Sequence, residues 1–272
     1  RILPALIFVC LSIIPFAYFF MPPEMFKEFG KQLIAVQIFI SNFYFWNEIN
    51  YFSTSVDLNP LIHSWSLAVE EQFYLFFPIL IIAAYRYGIS FIFKVILIIA
   101  ITSLLFAQFS GNLMYSFPFF QSDFKVYNSS SLSSFYLPFA RAWELLSGSL
   151  VAIYLFNNNV IKKSVLNDFL CAVGFILILA SIHKYSPETP FPSFYTIIPV
   201  AGTIILIIFT STDSLFQRIF SNFILVRIGL VSFSAYLWHQ PVFAFTRLNT
   251  SEELSFTLIT FGIFISFCLA FL

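Results

Sequence analysis

Long apolar runs recur along almost the whole chain, and they limit its fold more than any other feature. Each run comes close to the ~20 predominantly apolar residues that a helix needs to cross a bilayer. The sequence therefore predicts an all-α, polytopic transmembrane helix bundle. The eight predicted spans are 3–20, 66–85, 90–109, 137–156, 166–184, 194–211, 229–246 and 254–272.

Charge content supports this fold class. Only 10% of the residues are charged, whereas a soluble domain carries about 25%. The 13 Lys and Arg residues are balanced by 13 Asp and Glu residues, so the chain has no basic stripe for phosphates and nucleic acid is excluded as a main partner. We find no internal repeat and no soluble domain, and expect a single transmembrane domain over 1–272.

A ninth apolar stretch, 31–48, is more ambiguous. It could span the membrane, re-enter it, or lie in the interface. If it does not cross, more Lys and Arg residues fall on the side of Arg86, Lys162 and Arg218, which the positive-inside rule makes cytoplasmic. We therefore expect one non-spanning or re-entrant helix here. Its polar residues are Gln32, Gln37, Ser41, Asn42, Asn47 and Glu48.

Metal and nucleotide motifs are weak or absent in the sequence. The three His residues are scattered, and the three Cys residues each lie in an apolar stretch, so we expect no metal site and no disulfide framework. None of the eight Gly residues forms a Gly-rich phosphate loop.

The densest polar signal is the segment Asn59 to Tyr74. At about 100° per residue, His63, Ser66, Glu70 and Tyr74 fall within about 80° of one helix face. These residues could cap the helix and anchor it at the membrane interface. A functional site is favoured, because ionisable groups at membrane depth are costly and usually face a cavity or a partner.

Two further segments carry polar groups inside predicted spans. Arg141 and Glu144 are three residues apart and therefore neighbours on a helix. They could form a simple internal ion pair, or Arg141 could meet the phosphates of a nucleotide-bearing donor. In the last segment, Ser232, Tyr236 and His239 share a face, and a hydrogen-bonded bundle His is the commoner outcome for His239.

These segments resemble acyltransferase family three, the polytopic membrane acyltransferases that include O-acetyltransferases of bacterial surface polysaccharides. The segment from Asn59 to Tyr74 is similar to the signature of that family almost letter for letter. The segments 135–146 and 228–242 resemble two weaker family blocks, and Arg1-Ile2-x-Pro4 looks like the end of a basic cytoplasmic motif. The resemblance covers essentially the whole chain.

The resemblance implies a ten-span fold, so two helices are expected ahead of Arg1. In the family, the first of these helices carries a basic residue and a His regarded as essential for transfer. The chain as it stands is therefore expected to be inactive alone. That absent His would be the base or acyl relay.

The resemblance also implies roles for residues of this chain. Glu70 would orient or charge-balance the absent His, with Ser66 and Tyr74 in support, and His63 is a lower-ranked catalytic candidate. Arg1 and Arg141 would bind the donor. Glu144, Tyr236 and His239 would line the substrate path.

The implied reaction is transfer of an acyl group, most simply acetyl, to a hydroxyl of an envelope polysaccharide or lipopolysaccharide. The donor would be acetyl-CoA or another acyl-CoA used as a substrate, with no bound cofactor. The partners would be the envelope glycan and membrane lipid, and the location would be the bacterial inner membrane.

The alternative is a transporter or flippase without covalent chemistry, for which paired inverted repeats would be expected. A purely structural scaffold would not explain why charged residues are placed inside the predicted spans.

Overall fold

The computed structural model describes residues 2–51, 56–115, 134–157, 165–186, 189–210, 214–250 and 254–271, and within these ranges all regular structure is helical. Arg1 and most of the segment between the predicted spans 90–109 and 137–156 lie outside the described residues. The helices are α1 Ile2–Phe20, α2 Pro23–Gln37, α3 Ser41–Tyr51, α4 Ser64–Tyr85, α5 Ile89–Tyr115, α6 Pro138–Asn157, α7 Val165–Lys184, α8 Ile197–Phe209, α9 Leu215–Phe220, α10 Phe223–Leu248 and α11 Phe256–Leu269.

Five of the described helices are long and apolar enough to cross a membrane: α1, α4, the first 21 residues of α5, α6 with the turn before it, and α7. These five agree with the first five predicted spans. The other three predicted spans are also helical but differ in detail. Helices α8 and α11 have 13 and 14 residues, and α10 has 26 residues but is more polar. The all-helical class is therefore confirmed, while the count of eight spans stays a prediction.

The ambiguous stretch 31–48 is two helices rather than one. Helix α2 ends at Gln37, Phe39 has a positive φ of 55°, and α3 begins at Ser41. Pro22 and Pro23 start α2, where a missing backbone N–H costs nothing. Because α2 and α3 have 15 and 11 residues, each is shorter than a typical span.

The chain divides into two compact units. The first contains residues 1–71 and 223–272, and the second contains 72–222. In the first unit α1 packs on α10, and α10 packs on α11, where Gly262 lies against the ring of Phe243. Helix α2 contacts both α1 and α3.

The second unit is built on two tight helix pairs, α5 with α6 and α7 with α8. Between α5 and α6, Ile96 and Trp143 are buried together, and the Ser103 hydroxyl donates to the Phe139 carbonyl at 2.6 Å. Between α7 and α8, Gly174 and Gly202 face each other, and a Cβ on either would lie 2.6–2.8 Å from the carbonyl oxygen of the other. Glycine is required here by the close approach of two backbones.

Candidate functional site

The first unit brings two sequence-distant polar segments together at one phenol. The Tyr236 hydroxyl on α10 donates a hydrogen bond to the backbone carbonyl of His63, in the turn before α4. The same hydroxyl lies 2.8 Å from the Ser66 hydroxyl, on the first turn of α4. The Ser66 hydroxyl also lies 3.4 Å from the His63 carbonyl, so its proton can go to that carbonyl or to the Tyr236 oxygen.

Three rings surround this hydrogen-bonded centre. The His63 ring lies 4.9 Å from the Tyr236 ring and 5.2 Å from the His239 ring, in both cases edge to face. The Tyr236 and His239 rings are 5.6 Å apart. His63, Ser66, Tyr236 and His239 are hereafter called the histidine site. All four are residues that the sequence singled out, now placed in one cluster.

His239 has a defined tautomer in this geometry. Its Nδ1 lies 2.5 Å from the Tyr236 backbone carbonyl, one helical turn before it. A carbonyl oxygen can only accept, so Nδ1 carries a proton, and in the neutral form of the ring Nε2 is the nitrogen with the lone pair. Such an imidazole can accept a proton at Nε2 while its ring is held by the helix.

His63 occupies a different environment. Both ring nitrogens are buried, and neither forms a hydrogen bond of good geometry within the described part of the chain. Burial and the neighbouring His239 lower the pKa of His63 well below its usual value, while the nearby Leu237 carbonyl opposes this effect. His63 is therefore a neutral imidazole with its hydrogen-bonding capacity unspent, which in a buried polar group indicates a place for water or a ligand.

Glu70 and Tyr74 follow Ser66 along α4. Glu70 is half-buried and lies next to Glu71. Tyr74 belongs to the second unit, is 53% exposed, and has its ring against that of Phe73. Glu70 is thus one helical turn from the histidine site, and Tyr74 is a further turn along the same helix.

The second unit holds the Arg141 and Glu144 pair on α6. Arg141 Nη1 lies 3.1 and 3.3 Å from the two carboxylate oxygens of Glu144, and Arg141 Nε donates to the Phe135 carbonyl. The guanidinium also lies over the rings of Phe135 and Phe191, at 5.0 and 4.6 Å. Only 9% of the Arg141 side chain is exposed, so a phosphate would have to displace Glu144 to reach it.

A groove of about 270 Å³ lies between α6 and α8, and Glu144 is one of its lining residues. Its floor is open at Gly148, where a Cβ would meet no atom within 4 Å. The Ser147 and Thr203 hydroxyls donate to carbonyls of their own helices. The ionisable group of the lining is the Glu144 carboxylate. The lining residues are Glu144, Ser147, Gly148, Pro199, Val200, Thr203, Ile204 and Ile207.

Polar residues outside the predicted set support the turn that carries His63. Gln240 Nε2 donates to the Asn59 carbonyl at 3.1 Å, and Gln32 Nε2 donates to the Asn59 side-chain oxygen at 3.2 Å. The Ser41 hydroxyl donates to the Ser64 carbonyl. Gln32 and Ser41 stand out in the sequence as polar residues inside the apolar stretch 31–48, but the sequence does not indicate their partners. Within the described residues, no group of three His, Cys, Asp or Glu residues could hold a metal ion.

Five helices long and apolar enough to cross a membrane, together with the histidine site, are the features of a multi-pass helical membrane protein that holds a polar cluster. The sequence model of the acyltransferase domain family called Acyl_transf_3 matches residues 1–272. The chain belongs to this acyltransferase domain family.

Curated relatives agree with the family match. The chain is 29% identical over 258 residues to the O-acetyltransferase OatA of Staphylococcus aureus strain NCTC 8325, and to the protein of the same name from strain COL. Each match covers 91% of this chain and 40% of the relative, so the chain spans less than half the length of these relatives. No solved structure has significant similarity to the chain.

Proposed function

We propose that the chain is the membrane part of an O-acetyltransferase that moves an acetyl group from acetyl-CoA to a hydroxyl of an envelope glycan. The observation that carries this proposal is the histidine site, in which Tyr236 joins two polar segments within one unit. The family match and the name of the OatA relatives support acetyl transfer. The apolar helices support a multi-pass location, which we assign to the bacterial inner membrane.

Transfer of an acetyl group to a hydroxyl needs three things. A base must take the hydroxyl proton as the oxygen attacks the thioester carbonyl, donors must stabilise the oxyanion, and water must be kept away. The C–S bond then breaks, and the leaving thiolate takes up a proton. A group of the enzyme must therefore take the proton from the acceptor hydroxyl and hold it until the leaving thiolate has formed.

We assign the proton-accepting role in this chain to His239. Its Nδ1–H is tied to the Tyr236 carbonyl, so Nε2 offers a lone pair to an acceptor hydroxyl. A fixed tautomer of this kind is what a general base requires, because the ring need not rotate before it accepts the proton.

The other members of the site hold and surround that base. Tyr236 and Ser66 connect α10 to the start of α4 and fix the distance between His239 and His63. The neutral His63 ring can donate one hydrogen bond and accept another, which suits a sugar hydroxyl or a developing oxyanion. Glu70, half-buried one turn beyond Ser66, would balance the positive charge that forms on an imidazole.

The second unit offers a candidate path for a substrate. The groove beside Glu144 has an apolar lining that includes this carboxylate, and Arg141 holds that carboxylate in place. We assign Arg141, Glu144 and the groove to the passage of the donor or the acceptor.

Labelled acetyl-CoA separates the proposal from the transporter alternative. Membranes that contain the full-length protein should yield acetylated glycan, and a Glu70→Gln variant present in equal amount should yield much less. Glu71→Gln, one position further along α4, is the matched control. A transporter would move an unmodified substrate and yield no label in the glycan, and unchanged labelling by Glu70→Gln would remove Glu70 from the mechanism.

A further inference from the structure

A second polar cluster of the first unit lies on α2 and α3, and nothing in the proposed reaction uses it. The Tyr44 hydroxyl lies 3.0 Å from Glu28 Oε2 and 2.6 Å from Glu48 Oε1. Lys31 Nζ lies 2.7 Å from the other oxygen of Glu28. One phenol thus bridges two carboxyl groups, only one of which has a cationic partner among the described residues.

The two hydrogen bonds at Tyr44 need one more proton than the phenol alone supplies when both carboxyl groups are ionised. A phenol has one proton to donate, and an ionised carboxylate can only accept. If Glu28 and Glu48 were both ionised, one of the two close oxygen contacts would have no proton between its atoms. The geometry therefore favours a form in which one carboxyl group is protonated, as in other pairs of carboxyl groups that share a site.

The surroundings place that proton on Glu48. The hydrogen bond from Lys31 lowers the pKa of Glu28 and favours its ionised form. Partial burial raises the pKa of Glu48. The bonds then run in one direction: Glu48 donates to the Tyr44 oxygen, and Tyr44 donates to ionised Glu28.

Two hydrogen bonds at Asn59 connect α2, which carries Glu28, to α10, which carries His239. Gln32, only 2% exposed, lies close enough to Glu48 to influence the pKa of that carboxyl group. Gln32 Nε2 donates to the Asn59 side chain, and Gln240 Nε2 donates to the Asn59 carbonyl. Gln240 directly follows His239 in α10. The buried Gln32 Oε1 atom has no hydrogen-bond partner among the described residues. This oxygen can therefore accept a new hydrogen bond if Glu48 changes its protonation state.

We propose that Glu28, Tyr44 and Glu48 hold one shared proton, and that Gln32, Asn59 and Gln240 transmit its loss to the position of His239. Gln32, Asn59 and Gln240 are thus positioning residues. The proposal rests on the proposed function only where it concerns the rate of acetyl transfer. Glu28 and Tyr44 are the titratable groups that face Glu48. Helix α1, which packs against α2, carries Cys10 and Tyr18, and neither affects the pKa of Glu48.

Infrared difference spectroscopy of the full-length protein tests the shared proton without any activity. At a pH just above the ordinary glutamate pKa of 4.5, the wild type should show the carbonyl stretch of a protonated carboxylic acid, and Glu48→Gln should lose it. Glu24→Gln, which changes another carboxylate on α2, is the control and should retain the band. Tyr44→Phe should also lose the band, because the phenol that joins the two carboxyl groups is absent. This variant replaces Glu48→Gln in the test if Glu48→Gln does not fold. No band in the wild type, or a band that survives Glu48→Gln, overturns the proposal.

Nitrogen NMR of labelled His side chains tests the coupling. The His239 signals, assigned by their loss in His239→Gln, should shift when Glu48 titrates in the wild type and should not show that transition in Glu48→Gln. Gln32→Ala should abolish the transition at His239 while leaving the infrared band in place. If the transition persists in Gln32→Ala, the transmission through Gln32 is wrong. If no variant or wild type transfers acetyl, the proposed function fails while these two spectroscopic results still stand.

Discussion

The Tyr236 hydroxyl and the His63 carbonyl are joined by a hydrogen bond although the residues are 173 positions apart. This bond fastens α10 to the turn from which α4 begins. The Ser66 hydroxyl, 2.8 Å from the same phenol oxygen, adds a second attachment. The distance between the His63 and His239 rings depends on these two bonds, because each ring lies on one of the two joined segments.

Replacing Tyr236 by Phe should therefore weaken both the fold and the reaction. The change removes two hydrogen bonds and leaves the His63 carbonyl with the longer contacts from the Ser66 backbone N–H and hydroxyl, so the free energy of unfolding should fall by about 1–3 kcal/mol. Acetyl transfer should fall more steeply than the amount of folded protein. Tyr18→Phe, at a 67% exposed tyrosine of α1, is the control and should change neither quantity. Equal thermal stability of wild type and Tyr236→Phe would contradict the assigned bonds.

The Gly174 and Gly202 contact predicts a sharp steric response. Gly202→Ala places a methyl group 2.6 Å from the Gly174 carbonyl oxygen, so α7 and α8 must separate. Overpacking of this kind costs typically about 1–3 kcal/mol, which thermal unfolding in detergent can detect. Gly148→Ala meets no atom within 4 Å and should be neutral or slightly stabilising. Similar losses from both substitutions would show that helix propensity, not the contact, is responsible.

The groove beside Glu144 can be filled without disturbing the backbone. Gly148→Leu projects a side chain into the open space and should reduce acetyl transfer while leaving the folded protein intact. Gly148→Ala is the matched small change and should retain most of the activity. The measurement is the rate of glycan acetylation at several donor and acceptor concentrations. Full activity of Gly148→Leu would exclude the groove as a substrate path.

The raised pKa of Glu48 predicts the sign of one pH effect on stability. The folded protein holds the Glu48 proton more tightly than the unfolded chain, so this contribution is complete below the unfolded pKa and is lost as pH rises through the folded pKa. The lowered pKa of Glu28 acts in the opposite direction and at lower pH. Thermal unfolding of Glu48→Gln should therefore lack the loss of stability that the wild type shows above pH 4.5. Parallel pH profiles would contradict a proton on Glu48.

Local periodicity was enough to predict the class of fold and the helix faces, but not which faces meet. The Ser66 and Tyr236 positions followed from helical spacing, since each shares a face with a histidine in its own segment. Their mutual contact depends on how α10 packs near the start of α4, and no local pattern encodes that. The break at Phe39 was equally hidden, because a positive φ is uncommon outside glycine and no Gly or Pro marks it.

The burial of Gln32 shows a second limit of pattern reading. Inside an apolar stretch its amide could equally have faced water, a headgroup or a protein partner. Its role follows only from the position of Asn59, which lies 27 residues further along the chain. Sequence spacing therefore located the catalytic candidates better than the residues that support them.

Acetyl transfer by a His239→Gln variant of the full-length protein tests the central claim most directly. Gln fills a similar space and can still donate to the Tyr236 carbonyl, but it cannot accept a proton at the position of Nε2. His183→Gln, at the exposed end of α7, is the control. The account predicts a loss of roughly 10²-fold or more in glycan acetylation for His239→Gln at equal folded protein, and none for His183→Gln. Acetylation by His239→Gln at the wild-type rate would contradict it.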